Sequence, residues 1–287
     1  MEASKVISEK QKNNKHILVV EGGAMRGIFS AGVLDCFHDL HFNPFDACLG
    51  VSVGSTNLAA WLAGQRGRNY KVITDYSCRP EFISFRNFIR GGHWLDLDWL
   101  WPITIKEIRL DLKTFVNQRV PLYVVTTRVA TGEAVYIEAN GGNLEAVLKA
   151  SCSVPLLYRG FPKLENEMMT DGGVADAIPV KKAYAMGARE ITVILSHPWG
   201  YRKKPPKFFW VMRHSLKHYP ELAAVMLKRA ERYNRSLDFI ASPPVDCQVN
   251  LIAPPADFAV SRLTRDLDRL QQGYELGLVA GEKFAAA

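Results

Sequence analysis

The run Gly50-Val51-Ser52-Val53-Gly54 has the form G-x-S-x-G. A serine on a sharp turn between a strand and a helix exposes its hydroxyl. Glycines two residues to either side let neighbouring backbone approach it closely. This arrangement suits attack on an acyl carbonyl, with the N-terminus of the following helix favouring the developing negative charge. A second run, Gly22-Gly23-Ala24-Met25-Arg26-Gly27, also lies between an apolar stretch and a helical one. Its amides can converge on a phosphate or on an oxyanion. A dinucleotide fingerprint competes for this loop, but Ala24 replaces its middle glycine, and nucleotide binding leaves Ser52 without a role. An oxyanion hole uses both loops, because adjacent parallel strands bring them to one sheet edge. Arg26, which ends the glycine loop, is expected to brace it more than to meet a ligand phosphate.

A serine nucleophile needs a base. His16 opens a strand, and His38 and His41 close a helix, so these three read as structural or surface residues. The histidine best placed for a triad is His197, just past the run EITVIL. Ser52, Asp171 and His197 then follow the chain order of an α/β-hydrolase, although only one strand precedes Ser52 where that fold has built most of its sheet. The other candidate base is Asp171 acting alone. It ends the apolar approach Met168-Met169-Thr170 and precedes Gly172-Gly173. A carboxylate within reach of the serine there can take its proton directly.

These residues need a scaffold. His16 to Glu21 is a short β-branched run ending in glycines, and Gly27 to Leu40 has helical apolar spacing. Phe45 to Gly50 and Gly54 to Ala63 repeat the strand–loop–helix pattern, which begins a parallel α/β sheet. Further strands are expected at Pro121 to Val129, Ala134 to Glu138, Glu190 to Leu195 and Asp246 to Ile252. Helices are expected at Leu144 to Ser151, Pro179 to Met186, Pro220 to Ile240 and from Ser261 onward. Between Pro80 and Trp101, Phe82, Phe85 and Ile89 share a helical face, read either as core or as a lipid-facing cap.

The chain has 287 residues, 48% of them hydrophobic and 23% charged, which excludes disordered, collagen-like and coiled-coil classes. No apolar run is long enough to span a bilayer, and Met1 to Lys15 is a polar, lysine-rich extension unlike a signal peptide. Five cysteines without a CxxC pair argue against a disulfide framework or a zinc site, so a cytoplasmic setting is expected. The net charge of +7 is concentrated in residues 201–235, which hold ten lysines and arginines against Glu221 and Glu231. Such a stretch is a solvated face or a contact for an anionic membrane, placing the chain peripherally at the inner face of the cytoplasmic membrane. No nucleic-acid motif accompanies it, so nucleic acid is not an expected partner.

Taken in order, the glycine-rich loop ending in Arg26-Gly27, the G-x-S-x-G run and Asp171-Gly172-Gly173 resemble the patatin-like phospholipase family. Ala150-Ser151-Cys152-Ser153-Val154-Pro155 is similar to the family's A-S-x-x-x-P segment. The resemblance covers about Ile17 to Leu195. It implies an α/β fold, a three-layer α/β/α sandwich around a mainly parallel sheet. The catalytic core would then occupy residues 16–195, with a basic, helical part, 196–287, packed on it. The resemblance also implies a Ser52–Asp171 dyad without histidine, an oxyanion hole at Gly22 to Gly27, and turns shaped by Gly50, Gly54, Gly172 and Gly173. Members hydrolyse acyl esters of glycerophospholipids and related lipids, as phospholipase A, lysophospholipase or general lipid acyl hydrolase, without metal or organic cofactor. Two positions depart from the pattern. Ala24 replaces a third glycine, which a negative φ would tolerate, and Ala177 replaces a frequent asparagine. The rival readings are an esterase using His197 and a non-catalytic lipid-binding protein on a hydrolase fold.

Overall fold

A computed structural model of the chain describes residues 14–205 and 209–287. Most of the polar extension assigned to residues 1–15 therefore lies outside the described residues, as do Lys207 and Phe208 of the basic stretch.

The β-branched runs form the centre of an eight-stranded sheet. Its strands are β1 (Lys15–Val20), β2 (Ala47–Val51), β3 (Leu122–Arg128), β4 (Ala134–Glu138), β5 (Lys163–Leu164), β6 (Glu167–Asp171), β7 (Ala188–Ile194) and β8 (Gln248–Ile252). The order is β5-β6-β3-β2-β1-β7-β8, with β4 pairing β3 off this path. Strands β3, β2, β1, β7 and β8 are mutually parallel, while β4 and β6 run antiparallel to β3.

Helices α1 (Gly27–Asp39), α2 (Val53–Leu62), α3 (Leu97–Glu107), α4 (Leu144–Cys152), α5 (Val180–Ala185), α6 (Pro220–Leu227), α7 (Arg229–Ala241) and α8 (Leu267–Ala285) surround the sheet. Alternation along the strands separates two faces. Leu18, Val20, Cys48 and Val124 pack with Phe29 and Phe37 of α1, Leu58 of α2 and Leu148 of α4. Ile17, Val19, Leu49 and Val193 pack with Val180 of α5 and Leu237 and Ile240 of α7. The fold is thus a three-layer α/β/α sandwich.

The chain beyond residue 195 completes this body, since β8 extends the sheet beside β7 and α8 lies against α1. That helix pair touches at glycines. A Cβ on Gly32 would lie 2.2 Å from the Tyr274 carbonyl oxygen, and one on Gly277 would lie 2.2 Å from that of Phe29.

Three expectations change. The helix expected over Pro220 to Ile240 is two helices, α6 and α7, that break at Lys228. The C-terminal helix starts at Leu267, after an Asp266 cap whose side chain accepts from the Arg269 amide, and not at Ser261. Phe82, Phe85 and Ile89 do not share a helical face. The short helix there begins at Phe85 behind a Ser84 cap, leaving Phe82 buried while Phe85 and Ile89 face outward.

Candidate active site

Strand register brings the two chemical runs together. Val51 of β2 pairs with Val125 of β3, and the next residue of β3, Thr126, pairs with Asp171 of β6. Ser52 and Asp171 therefore stand at one level of the sheet, two strands apart, roughly 10 Å between backbones. Side chains rising from both positions can meet above β3.

Ser52 has φ 52 and ψ −128, a strained backbone for a residue with a Cβ. Its amide donates to Ser151 Oγ at 2.8 Å, and Ser151 Oγ donates to the Val125 carbonyl at 2.6 Å, so α4 ties the turn to β3. Its carbonyl accepts from the Ser55 amide and hydroxyl at 2.9 and 2.6 Å. Glycine at 22 is required by close approach, because a Cβ there would lie 2.6 Å from the Val51 carbonyl and 2.8 Å from Ser52 Cβ.

Asp171 is 3% exposed. Its amide donates to the Ser153 carbonyl at 3.0 Å, its carbonyl accepts from Thr127 Oγ1 at 2.8 Å, and its Oδ1 accepts from the Gly173 amide at 2.7 Å. Gly172 is needed here too, since a Cβ would meet the Val125 carbonyl at 2.1 Å. Burial raises the Asp171 pKa above the ordinary carboxylate value. Arg229, the Ser52 hydroxyl, the Gly173 amide and Arg262 oppose that rise by favouring the charged form. Among the described residues no hydrogen bond joins the Ser52 hydroxyl to the Asp171 carboxylate. Catalytic pairs commonly tighten only around substrate.

The glycine loop closes the site from β1. Ala24 has φ 51, so the negative φ that would make alanine easy there is not met and alanine occupies a left-handed position. The Met25 amide donates to the Arg262 carbonyl at 3.4 Å and the Arg26 amide to the Gly23 carbonyl at 3.2 Å. Among the described residues the amides of Gly22, Gly23 and Ala24 have no acceptor, which narrows the anion-binding donors of the loop to these three. Arg26 braces the loop as expected: it is buried, and its Nε donates to the Ser196 carbonyl at 3.1 Å.

His197 is not brought to Ser52. Its ring stacks on Tyr201 at 3.7 Å between centroids, and among the described residues it makes no hydrogen bond to Ser52 or Asp171. Burial, then Arg26, Lys203 and Arg262, push its pKa down to about 3, below the proton affinity of a free carboxylate.

Two concavities meet at Ser52. One, of about 120 Å³, is apolar and runs between α2, α3 and the Val72–Tyr76 turn, with Ile73, Phe82, Leu97, Leu100 and Leu148 among its walls. The other is polar, holding Asp171, Glu21 and the glycine loop together with Lys203, Arg229 and Arg262. Sequence reasoning missed Ser151 as a tether and these three cations as walls. The only signal for Lys203 and Arg229 was the charge excess of residues 201–235. That stretch is not one face. Arg202 pairs with Asp238 and Arg235 with Glu231 outside, while the Arg229 Nε donates to the Gly173 carbonyl at 2.6 Å inside. His93, Asp96 and Asp98 gather possible ligand atoms within 4.8 Å, but the Lys149 ammonium already lies 2.6 Å from Asp98. No helix among the described residues is long and apolar enough to cross a membrane.

Comparison with known proteins adds an independent line. A family model described as patatin-like phospholipase matches residues 18–184, and one for a domain of unknown function, DUF6363, matches residues 219–287. The chain is 35% identical over 276 residues to the uncharacterized protein YjjU of Escherichia coli K12, covering 94% of this chain and 76% of that protein. It is 27% identical over 190 residues to lysophospholipase NTE1 of Saccharomyces cerevisiae, across 62% of this chain but only 10% of the yeast protein. The crystal structure of VipD from Legionella pneumophila superposes with a TM-score of 0.52 at 10% identity, over 96% of this chain and 67% of that one. That likeness concerns the fold alone. The family match spans the glycine loop, the serine turn and Asp171-Gly172-Gly173, the same elements the sheet register gathers, and the chain belongs to the patatin-like phospholipase family.

Proposed function

We propose that the chain is a lipid acyl hydrolase that works through a Ser52–Asp171 dyad and an acyl-enzyme. The observation that carries this reading is the position of Ser52 at the junction of an apolar cavity and a polar, cationic cleft. An amphiphile with its acyl chain in the first and its head in the second presents its ester bond to the hydroxyl.

Ser52 Oγ attacks the acyl carbonyl as Asp171 accepts its proton, and the Gly23 and Ala24 amides hold the oxyanion. Collapse of the intermediate expels the alcohol, which takes the proton back from Asp171. Water then attacks the Ser52 ester with Asp171 again as base, releasing the fatty acid and restoring the hydroxyl. Arg229 and Arg262 favour the ionised form of the buried carboxylate against the effect of burial. Burial limits competing solvent and strengthens the oxyanion contacts.

Assay of a lysophospholipid and an uncharged p-nitrophenyl ester tests the scheme. Ser52→Ala and Asp171→Asn should each lose at least a thousandfold in kcat on both substrates. Near-normal turnover by either variant would overturn the dyad.

The exposed cations Arg213, Lys217 and Lys228, with Trp210 at 63% exposure, suit contact with an anionic bilayer. Such contact fits a peripheral place at the inner face of the cytoplasmic membrane. Liposome co-sedimentation that ignored anionic lipid content would remove this part of the reading.

A further inference from the structure

Beside the cleft of Ser52 and Asp171 lies another concavity, of about 310 Å³. Lys203, Arg229 and Arg262 form walls of both. Arg26 and Lys204 add to the lining of the second, and no carboxylate lines it among the described residues. None of these five cations forms an ion pair with a described carboxylate. Glu21, which lines the shared cleft, has its Oε2 on the Ser196 amide at 2.7 Å. Arg26 is buried and Lys203, Arg229 and Arg262 are half-buried, with Glu21 and Asp171 of the neighbouring cleft as their counter-charges. An added anion is favoured where the cations outnumber them. The strain is visible in their proton affinities: burial and neighbouring arginines push Lys203 down to about 7 and Arg26 to about 10.

We propose that this recess binds the phosphate of the substrate's head group and selects acyl esters whose head group is net negative over zwitterionic ones. This rests on the lipid acyl hydrolase reading of Ser52 and Asp171. A glycerolipid phosphate is only a few bonds from the ester, so an acyl carbonyl at Ser52 leaves the phosphate beside Arg229 and Arg262. Guanidinium groups suit phosphate oxygens. A choline or aminoethyl group would continue into a lining without carboxylates, losing hydration for no partner and meeting Lys203 and Lys204 at like charge. Two of the aromatic faces that could hold a quaternary ammonium are engaged. The Lys203 ammonium lies 4.3 Å from the Tyr233 ring centroid, and one face of Tyr201 is covered by His197. Four of the five cations come from the segment after the sheet's β7 and from α7 and the α8 approach, so the C-terminal part of the chain dominates head-group choice for a serine carried by the N-terminal part.

The test reads binding on the Ser52→Ala chain, at fixed ionic strength, with lysophosphatidylglycerol, lysophosphatidylcholine and monoacylglycerol of one short acyl chain below their micellar concentrations. Inorganic phosphate is titrated separately. Lysophosphatidylglycerol should bind at least tenfold more tightly than either other lipid. Adding Arg262→Gln, which leaves the carbonyl that accepts the Met25 amide, should remove most of that advantage, and Lys203→Gln provides a second variant should the first misfold. Equal affinity for the two phospholipids, or an advantage unchanged in both variants, would overturn the proposal. So would inorganic phosphate binding as tightly as lysophosphatidylglycerol, which would mark a free-anion site. Because no turnover is read, failure of the hydrolase reading shows separately, as wild-type protein inactive on every ester.

Discussion

Ser151→Ala is the sharpest probe of how the serine turn is held. The Ser151 side chain is fully buried, accepts from the Ser52 amide and donates to the Val125 carbonyl. Alanine leaves both backbone groups buried and unpaired. Each such group costs about 1–3 kcal/mol, and partial relaxation puts the total at about 3 kcal/mol. At ~2–4 °C per kcal/mol for a chain of this class, the midpoint of thermal unfolding should fall by about 6 °C or more. The turn is also strained, since Ser52 sits at φ 52, a conformation disfavoured by about 1–2 kcal/mol. Losing its tether lets the hydroxyl leave its aim, for roughly a tenfold loss of kcat. Urea unfolding and turnover of an uncharged p-nitrophenyl ester measure the two effects. Ser153→Ala is the control, because the Ser153 hydroxyl donates only to the Ala150 carbonyl at the end of α4, at 2.6 Å. It should lose about 1 kcal/mol with kcat unchanged. If Ser151→Ala were no more damaging than Ser153→Ala in both measurements, the tether would have no positioning role.

Three further outcomes follow from the geometry. Burial raises the Asp171 pKa, and the charged form is the base, so kcat/KM on an uncharged ester should fall with unit slope as pH drops through that raised value, with or without the His197 ring. A limb near pH 6.5 that vanished in His197→Ala would contradict the dyad. His197→Ala itself should keep kcat within a few-fold, because the ring stacks on Tyr201 away from Ser52. Gly277→Ala should destabilise the fold by about 3 kcal/mol, because its Cβ would press on the Phe29 carbonyl and force α8 off α1. An unfolding free energy unchanged by that substitution would refute the close packing.

The centre of the fold was legible because its strands are short, β-branched and punctuated by glycines. Val51 and Asp171 could be read as strand ends, yet only the pairing of Thr126 with Asp171 fixes their common level. That pairing is antiparallel, between segments far apart in sequence, and no local pattern encodes it. The left-handed backbone of Ala24 is likewise not encoded by alanine's own preference. Phe82, Phe85 and Ile89 kept helical spacing, but a serine cap between the first two starts the helix late and turns Phe82 into the apolar cavity. Residues 201–235 showed their charge in the sequence, not its direction. The break at Lys228 begins a new helix at Arg229, whose side chain reaches the Gly173 carbonyl.

The central claim is that the Ser52 hydroxyl is a nucleophile served by the Asp171 carboxylate. Intact-protein mass spectrometry after treatment with a fluorophosphonate, followed by peptide mapping, addresses it directly. The account predicts one adduct on the wild-type chain, mapped to Ser52, absent in Ser52→Ala and formed far more slowly in Asp171→Asn. An adduct at another residue, or labelling of Asp171→Asn at the wild-type rate, would contradict it.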